Sequence, residues 1–246
     1  MEALRLALGP QADSVSVVSR RLTDGATARL NADEVYYAAS LYKLEVLYEA
    51  FRQRQRRALD FDRAVEVSGR YAAEDLGTIG RLSLGPDGQV TVREALRAMV
   101  TFSDNTSAAL LLDVLGHRNI DATMGALGLS ASSVNTTELP TTAADMARLM
   151  EAIVRGEGLD AADAREMASL LLGQEHRFGI PRGVPAGVAV GNKWGSLDGY
   201  VHDVAFVIEP NAPYVLAVLT RGGGWDLIAR VSRTVNDYWR AHPAAR

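Results

Sequence analysis

Apolar and polar positions alternate with a period of two near both ends of the chain, which is the pattern of half-buried β-strands. The predicted strands cover residues 14–22, 28–32, 187–193, 202–208 and 214–220. The pairs Asp24-Gly25 and Asp198-Gly199 supply turn signals between neighbouring strands. We therefore expect segments from opposite ends of the chain to share one five-stranded antiparallel sheet.

The middle of the chain follows a helical period instead. A helix is predicted to begin at Ser40, and its apolar positions cover most of its circumference, so it should be central and buried. Thr91 and Thr142 each precede an acidic residue by three positions, which is typical of a capping box at a helix start. Further helices are predicted over 91–102, 105–115, 142–156 and 160–173, with terminal helices over 1–9 and 225–240.

Strands at both ends and helices between them predict an α+β protein with two lobes. We expect one catalytic domain over residues 1–246. Its sheet lobe would comprise 1–39 and 183–246, flanked by the terminal helices, and its all-helical lobe would comprise 40–182.

Composition narrows the function classes. Of the 246 residues, 48% are hydrophobic and 23% are charged, which is enough apolar material for a sizeable core. A net charge of -4 argues against a nucleic-acid partner, and the basic run 52–57 fits a solvated helix end. Without cysteine, and with four scattered histidines, neither a disulfide nor a metal centre is expected. No apolar run is long enough to span a membrane.

Only two lysines occur beside 24 arginines. Lys43 closes the run Ser40-Leu41-Tyr42-Lys43, where a spacing of three places serine and lysine one helical turn apart on the same face. A serine becomes a strong nucleophile when a neighbouring base takes its proton. A desolvated lysine amine can serve as that base, whereas a guanidinium cannot.

Two further runs can be explained either by an ordinary structural role or by a role in catalysis. Ser103-Asp104-Asn105 lies at a predicted turn between helices, where all three residue types are common caps. Lys193 ends a predicted strand and is followed by Trp194 and Gly195, and a lysine there can simply be an edge-strand residue. The glycine would let a substrate lie close along the strand.

Taken in order, these three runs resemble the Ser-x-x-Lys, Ser-Asp-Asn and Lys-Thr-Gly set of class A β-lactamases and penicillin-binding proteins. The resemblance extends over nearly the whole chain and includes the stretches 91–96 and 141–146. It implies the two-lobed β-lactamase-like (DD-peptidase-like) fold and a bacterial serine hydrolase connected with antibiotic resistance. It also implies an extracytoplasmic location, with an export signal outside this sequence, although a cytoplasmic one stays open.

The resemblance also implies a role for each matching position. Ser40 would be the acylated nucleophile, and Lys43 its activating partner. Ser103 would relay a proton toward the leaving nitrogen. The backbone N–H groups of Ser40 and Ser196 would form the oxyanion hole.

The remaining matching positions would bind the substrate. Asn105 would hold its amide side chain, and Lys193, with Gly195 and Ser196 beyond it, would face its carboxylate.

At two positions the sequence differs from the family's pattern, and these differences concern substrate binding and deacylation. Trp194 stands where the family usually has a threonine or serine that helps to hold the β-lactam carboxylate. Glu138 lies at about the distance from Ser103 at which class A enzymes carry the glutamate of deacylation, but the next helix begins by Thr142, so most of the usual loop is missing. Glu138 and Trp194 are therefore tentative site residues, and slow deacylation is expected.

Three functions fit these observations. The leading one is hydrolysis of a β-lactam or a related amide or ester through acylated Ser40. The second is a D-Ala-D-Ala-type peptidase or an esterase acting on another small acyl substrate. The third is an acyl-binding protein that reacts once and keeps the adduct. In each case we expect a monomer with a small-molecule partner and no cofactor or metal.

Overall fold

The computed structural model describes residues 2–244. The helices in this range are α1 Glu2–Leu8, α2 Lys43–Gln55, α3 Gly69–Ala72, α4 Val92–Thr101, α5 Asn105–Leu115, α6 His117–Ala126, α7 Ala143–Arg155, α8 Ala161–Leu172, α9 Ile180–Gly183 and α10 Trp225–Ala241. The strands are β1 Val15–Arg21, β2 Thr27–Leu30, β3 Val35–Tyr37, β4 Ala64–Glu66, β5 Gln89–Thr91, β6 Pro140–Thr142, β7 Ala189–Leu197, β8 Tyr200–Ile208 and β9 Tyr214–Arg221.

The main sheet has five antiparallel strands in the order β2-β1-β9-β8-β7. Strand β1 lies against β9, with Val17 opposite Val218, so the two chain ends meet in the middle of the sheet. This confirms the predicted α+β fold and its five-stranded sheet. Strand β7 forms one edge and continues to Leu197, four residues beyond the predicted end at Lys193. The extension brings Gly195 and Ser196 onto the strand.

Alternate residues of the central strand serve two apolar cores because successive side chains point to opposite faces. On β9, Leu216 and Val218 pack with α1 and α10, whereas Val215 and Leu219 pack with the helical part of the chain. The two faces of the sheet are therefore both covered.

Helix α2 runs through the middle of the helical part, as its all-round apolar pattern predicts. Leu44, Val46, Leu47 and Phe51 have no exposed surface. Burying one such side chain stabilises the fold by roughly 1.5–3 kcal/mol. The helix that carries Lys43 is thus held firmly by its own packing.

Several local predictions need correction. Ser40 does not begin the α-helix: it lies in a 3-10 turn, Ala39–Tyr42, and α2 starts at Lys43. Thr91 caps α4 by accepting the Glu94 N–H, but the Glu94 carboxylate turns to Arg97 instead of closing a capping box. Helix α6 was not predicted at all. Residue 1 of the predicted first helix lies outside the described residues.

Within residues 2–244, none of the helices has the length and apolar character needed to cross a membrane. The treatment of residues 1–246 as one domain stays a prediction.

Candidate active site

A cleft of about 800 Å³ opens between the β7 edge of the sheet and the helical part of the chain. Its lining includes five predicted site residues, namely Ser40, Ser103, Asn105, Trp194 and Ser196. These come from the turn before α2, the link between α4 and α5, the first residue of α5, and strand β7. The fold thus brings together positions that are far apart in the sequence.

The turn that carries Ser40 is conformationally unusual. Ala39 has a φ of 47°, in the left-handed region that residues with a side chain rarely adopt. Ser40 follows it and is partly exposed to the cleft. The backbone N–H of Lys43 bonds to the carbonyl of Ser40, so the turn leads directly into α2. Ser40 is therefore held at the helix N-terminus, where free N–H groups favour negative charge.

Gly195 allows β7 to pack against this turn. A Cβ atom at position 195 would lie 2.9 Å from the Ser40 nitrogen and 3.0 Å from the Ala38 carbonyl oxygen. Both neighbours are backbone atoms, which cannot move aside cheaply. The structure thus shows that a glycine is needed at position 195 for packing, whereas the sequence suggested only that it leaves space for a substrate. The same close approach sets the Ser40 N–H beside the strand that carries Ser196.

Lys43 has no exposed surface, and its ammonium is enclosed by oxygen acceptors. Nζ donates to the Ser103 carbonyl at 2.7 Å, to Asn105 Oδ1 at 2.6 Å and to Ser103 Oγ at 3.2 Å. Within the described residues it makes no hydrogen bond to Ser40. Burial lowers the pKa of Lys43 to about 7, and the nearby Asp104 carboxylate opposes that shift. A substantial fraction of the amine is therefore neutral near pH 7 and can accept a proton.

Ser103 occupies the link between α4 and α5 and has a φ of 62°. Helix capping, the ordinary role that the sequence allowed for this run, is performed by the neighbouring Asp104, which accepts the Ser107 N–H at 2.6 Å and caps α5. Ser103 itself receives both lysines: Lys43 Nζ lies 3.2 Å and Lys193 Nζ 2.9 Å from its Oγ. A serine hydroxyl has two acceptor positions and one donor. With both acceptors occupied, its own proton is free to point into the cleft.

Lys193 is also fully buried, and it donates to Ser103 Oγ and to the Trp194 carbonyl at 2.8 Å. Burial, followed by repulsion from Lys43, lowers its pKa well below the usual range, while Asp203 opposes the shift. Two lysines thus converge on one hydroxyl beneath the cleft.

A buried carboxyl behind Lys193 was missed by the sequence analysis. Asp203 lies opposite Trp194 in the sheet, and it accepts hydrogen bonds from Asn192 Nδ2 at 2.9 Å and from the Ile180 N–H at 2.7 Å. Burial raises the pKa of Asp203 to about 7 despite those bonds. The available signal was a single acidic residue, next to His202, inside the mostly apolar strand β8.

The two tentative residues are placed differently. Glu138 is exposed and is not among the described residues that line the cleft. Leu139, the next residue, does line the cleft and binds the Ala38 N–H through its carbonyl. Trp194 lines the cleft and stacks on His176, with ring centres 4.5 Å apart.

Backbone strain is concentrated around the cleft. Among the described residues, six non-glycine positions have a positive φ, and three of them, Ala39, Ser103 and Leu139, line the cleft. Such conformations persist only where the surrounding structure imposes them, and they cluster at active sites. This distribution supports the cleft as the functional site.

Comparison with known proteins shows the family to which the chain belongs. The model of the β-lactamase enzyme family matches residues 1–239. β-Lactamase AST-1 of Nocardia asteroides is 31% identical over 236 residues, which cover 87% of this chain and 75% of that protein. The carbapenem-hydrolyzing β-lactamase KPC of Klebsiella oxytoca is 29% identical over 232 residues, covering 87% and 78%.

Solved structures share the fold over nearly the full length. PBP-A superposes with a TM-score of 0.89 at 22% identity, covering 98% of this chain and 97% of PBP-A. The β-lactamase from Sphaerobacter thermophilus also reaches 0.89, at 23% identity and 99% coverage of both chains. The resemblance carried by the three sequence runs is thereby confirmed: the chain belongs to the β-lactamase enzyme family and is a serine hydrolase.

Proposed function

We propose that the protein acylates Ser40 with a β-lactam or a related amide or ester and then hydrolyses the acyl-enzyme slowly. The observation that carries this proposal is the convergence of Lys43 and Lys193 on the Ser103 hydroxyl, beneath a cleft that Ser40 lines. A nucleophile, a base and a proton donor are thereby collected in one place.

In the acylation step, the neutral amine of Lys43 takes the proton of Ser40 Oγ as that oxygen attacks the substrate carbonyl. The lowered pKa of Lys43 supports this role, because a base works best when its pKa lies near the working pH. Lys43 must turn from Asn105 toward Ser40, and Asn105 Oδ1 is then released to accept an N–H from the substrate.

Collapse of the tetrahedral intermediate breaks the bond between the carbonyl carbon and the leaving nitrogen or oxygen. The leaving atom receives the Ser103 proton, and Ser103 takes from Lys43 the proton that Lys43 received from Ser40, which restores the neutral amine. The oxyanion is assigned to the N–H groups of Ser40 and Ser196, on the turn and strand that Gly195 lets approach each other. Such preorganised donors are usually the largest single contribution to catalysis.

Hydrolysis of the acyl-enzyme needs an activated water. Glu138 is exposed and lies outside the cleft lining, which supports slow deacylation because general base catalysis is worth about 10²–10⁴-fold. The relatives from Nocardia and Klebsiella carry the name β-lactamase, which supports a β-lactam substrate and a part in antibiotic resistance. An extracytoplasmic location belongs to the same proposal.

Time-resolved intact-mass spectrometry with a penicillin and a cephalosporin tests the proposal. We expect one acyl group to add per chain quickly and to leave slowly, with more than one product formed per active site. An adduct that never leaves would identify an acyl-binding protein instead. Turnover of peptides ending in D-Ala-D-Ala without acylation by either β-lactam would identify a peptidase.

A further inference from the structure

The cleft extends along helix α5, away from Ser40. Four positions of α5 line it with the spacing of one helix face, namely Asn105, Ala109, Leu112 and Asp113. All four are at least partly exposed, whereas the positions between them, 106–108 and 110–111, are buried. The side chains of this stripe therefore face the opening. At about 1.5 Å per residue, Asp113 lies about 12 Å from Asn105 along the helix axis.

The middle of this extension is apolar and uncovered. Ala109 leaves room above the helix, and Leu112 supplies an aliphatic wall. Of the described residues 127–139, which connect α6 to β6, only Leu139 lines the cleft, so the connection does not close over α5. The stretch suits an aliphatic chain, which gains free energy when its surface is removed from water.

The far end of the extension carries charge. Arg70 forms an ion pair with the Asp113 carboxylate, and the Tyr71 hydroxyl lies 3.0 Å from Asp113 Oδ2. Both contacts use Oδ2, so Oδ1 has no hydrogen-bond partner within residues 2–244. The Asp113 side chain is 41% exposed, so a ligand can reach this carboxylate.

A second carboxylate belongs to the same part of the cleft. Glu74 is exposed, lines the cleft and, in the described part of the chain, forms no ion pair. Burial, followed by the Tyr37 phenol and the Glu74 carboxylate, raises the pKa of Tyr42, so this phenol stays uncharged. The same influence shows that the Glu74 carboxylate lies close to Tyr42, which is itself a lining residue. Among the described lining residues, two carboxylates therefore stand against one guanidinium, and that guanidinium is already paired.

The aliphatic hydroxyl groups of the lining do not alter this balance. Those of Ser40, Ser103 and Ser196 belong to the catalytic end, where Ser103 already receives both lysines. Thr78 donates its hydroxyl proton to Asp104. These groups are uncharged, so they leave the far end with its excess of negative charge.

His117 adds an acceptor to the lining. Its Nδ1 lies 2.8 Å from the Val134 carbonyl oxygen, which can only accept, so Nδ1 carries the proton. In the neutral ring Nε2 is then an acceptor. The outer half of the cleft is therefore rich in acceptors and poor in unpaired donors.

From these observations we propose that this extension binds an acyl arm that ends in an ammonium group. The preferred substrates are then acyl donors with an amine about 12 Å beyond the amide that Asn105 holds. The inference rests on the proposed acylation of Ser40 and specifies its substrate class. An ammonium has three donors, which Glu74 and Asp113 Oδ1 can accept. The methylene groups of the arm would cover Ala109 and Leu112.

Two pairs of penicillins test the inference, compared by the second-order rate of Ser40 acylation in intact-mass spectrometry. In the first pair the side-chain amide carries an 8-aminooctanoyl arm, either as the free amine or N-acetylated. An extended chain advances about 1.2 Å per bond, so this arm spans about 11 Å and reaches the carboxylates. The free amine should acylate about five- to tenfold faster, because each ion pair at a partly exposed site is worth up to about fivefold. In the second pair a glycyl arm is too short to reach, and acetylation should change the rate by less than about twofold.

Variants of the two carboxylates identify the binding groups. Glu74→Gln and Asp113→Asn should each reduce the preference for the long free amine by about twofold or more, and the double variant should abolish it. Asp87→Asn removes an equal charge from an exposed position outside the described cleft lining and should keep the full preference. Thermal unfolding verifies that the variants are folded, and the two pairs on the parent protein decide the inference alone if a variant misfolds.

The outcomes separate the inference from the proposed function. Equal rates for the two long probes would overturn the inference, and so would an equal preference in the glycyl pair, which would reflect a general attraction of cations. A preference that survives in a folded double variant would overturn it as well. Benzylpenicillin, which has no amine, monitors the proposed function: if it and a neutral p-nitrophenyl ester both fail to acylate Ser40, the proposed function fails, and the inference fails with it.

Discussion

Replacing Lys43 by arginine tests directly whether a neutral amine is the base of acylation. Burial lowers the pKa of Lys43 to about 7, so about half of the molecules carry the neutral amine at pH 7. Arginine keeps the positive charge but has no neutral form in a protein. We expect Lys43→Arg to slow acylation at least about 10²-fold, the lower range for loss of a general base. Lys43→Met, which removes the charge as well, should lose at least as much.

The pH dependence of the parent protein follows from the same pKa. The base works in its deprotonated form, so acylation should be lost as the pH falls through about 7. A group with this pKa is neutral in about 1% of molecules at pH 5, which predicts an approximately 50-fold slower acylation than at pH 7. Above pH 7 only about a further twofold increase remains. Because Lys43 and Lys193 interact, the profile reports an apparent pKa of the pair.

Rapid-quench intact-mass spectrometry from pH 5 to pH 9 measures both effects, with thermal unfolding as the check that each variant is folded. Arg29→Lys is a suitable control, since Arg29 forms an exposed ion pair with Asp33 and should be replaceable without consequence. A Lys43→Arg protein that acylates within a few-fold of the parent would refute base catalysis by Lys43. A parent rate that stays flat between pH 5 and pH 8 would refute the lowered pKa.

Three further predictions concern neighbouring positions and the slow step. Glu138→Gln should deacylate like the parent, because Glu138 is exposed and outside the cleft lining; an acyl-enzyme that persists longer in this variant would make Glu138 the base after all. Gly195→Ala should slow acylation and destabilise the fold by about 1–3 kcal/mol through contact with the Ser40 nitrogen, whereas Gly80→Ala, which meets no atom within 4 Å, should change neither. A chromogenic β-lactam should give a burst of product followed by slow turnover, and a linear trace without a burst would contradict slow deacylation.

The local pattern predicted the elements well wherever burial follows a simple period. The five sheet strands and the buried helix α2 are examples, since alternation and all-round apolar character report directly on which faces are covered. Helix α6 was missed because it buries only Ile120, Thr123 and Met124 of its ten residues. Its apolar signal is therefore too weak to stand out from a polar loop.

Five of the described residues that line the cleft were named from the sequence, but the contacts within the cleft were not predicted. The spacing of Ser40 and Lys43 placed them near each other, whereas the meeting of Lys43, Lys193 and Ser103 depends on the packing of β7 against the helices. Local sequence carries no information on such long-range contacts, so only the family resemblance indicated them. Asp203, the neighbours of Trp194 and the solvent position of Glu138 depend on the same tertiary packing, which explains why the structure was needed to find them.

The central claim is that Ser40 is the nucleophile, and peptide mapping of the covalent adduct tests it most directly. The parent protein, quenched early after mixing with benzylpenicillin, should carry the acyl mass on the peptide that contains Ser40, with fragmentation placing it on that residue. Ser40→Ala should carry none, while its thermal unfolding should stay close to that of the parent. An adduct on another serine or on a lysine, or undiminished labelling of Ser40→Ala, would contradict the account.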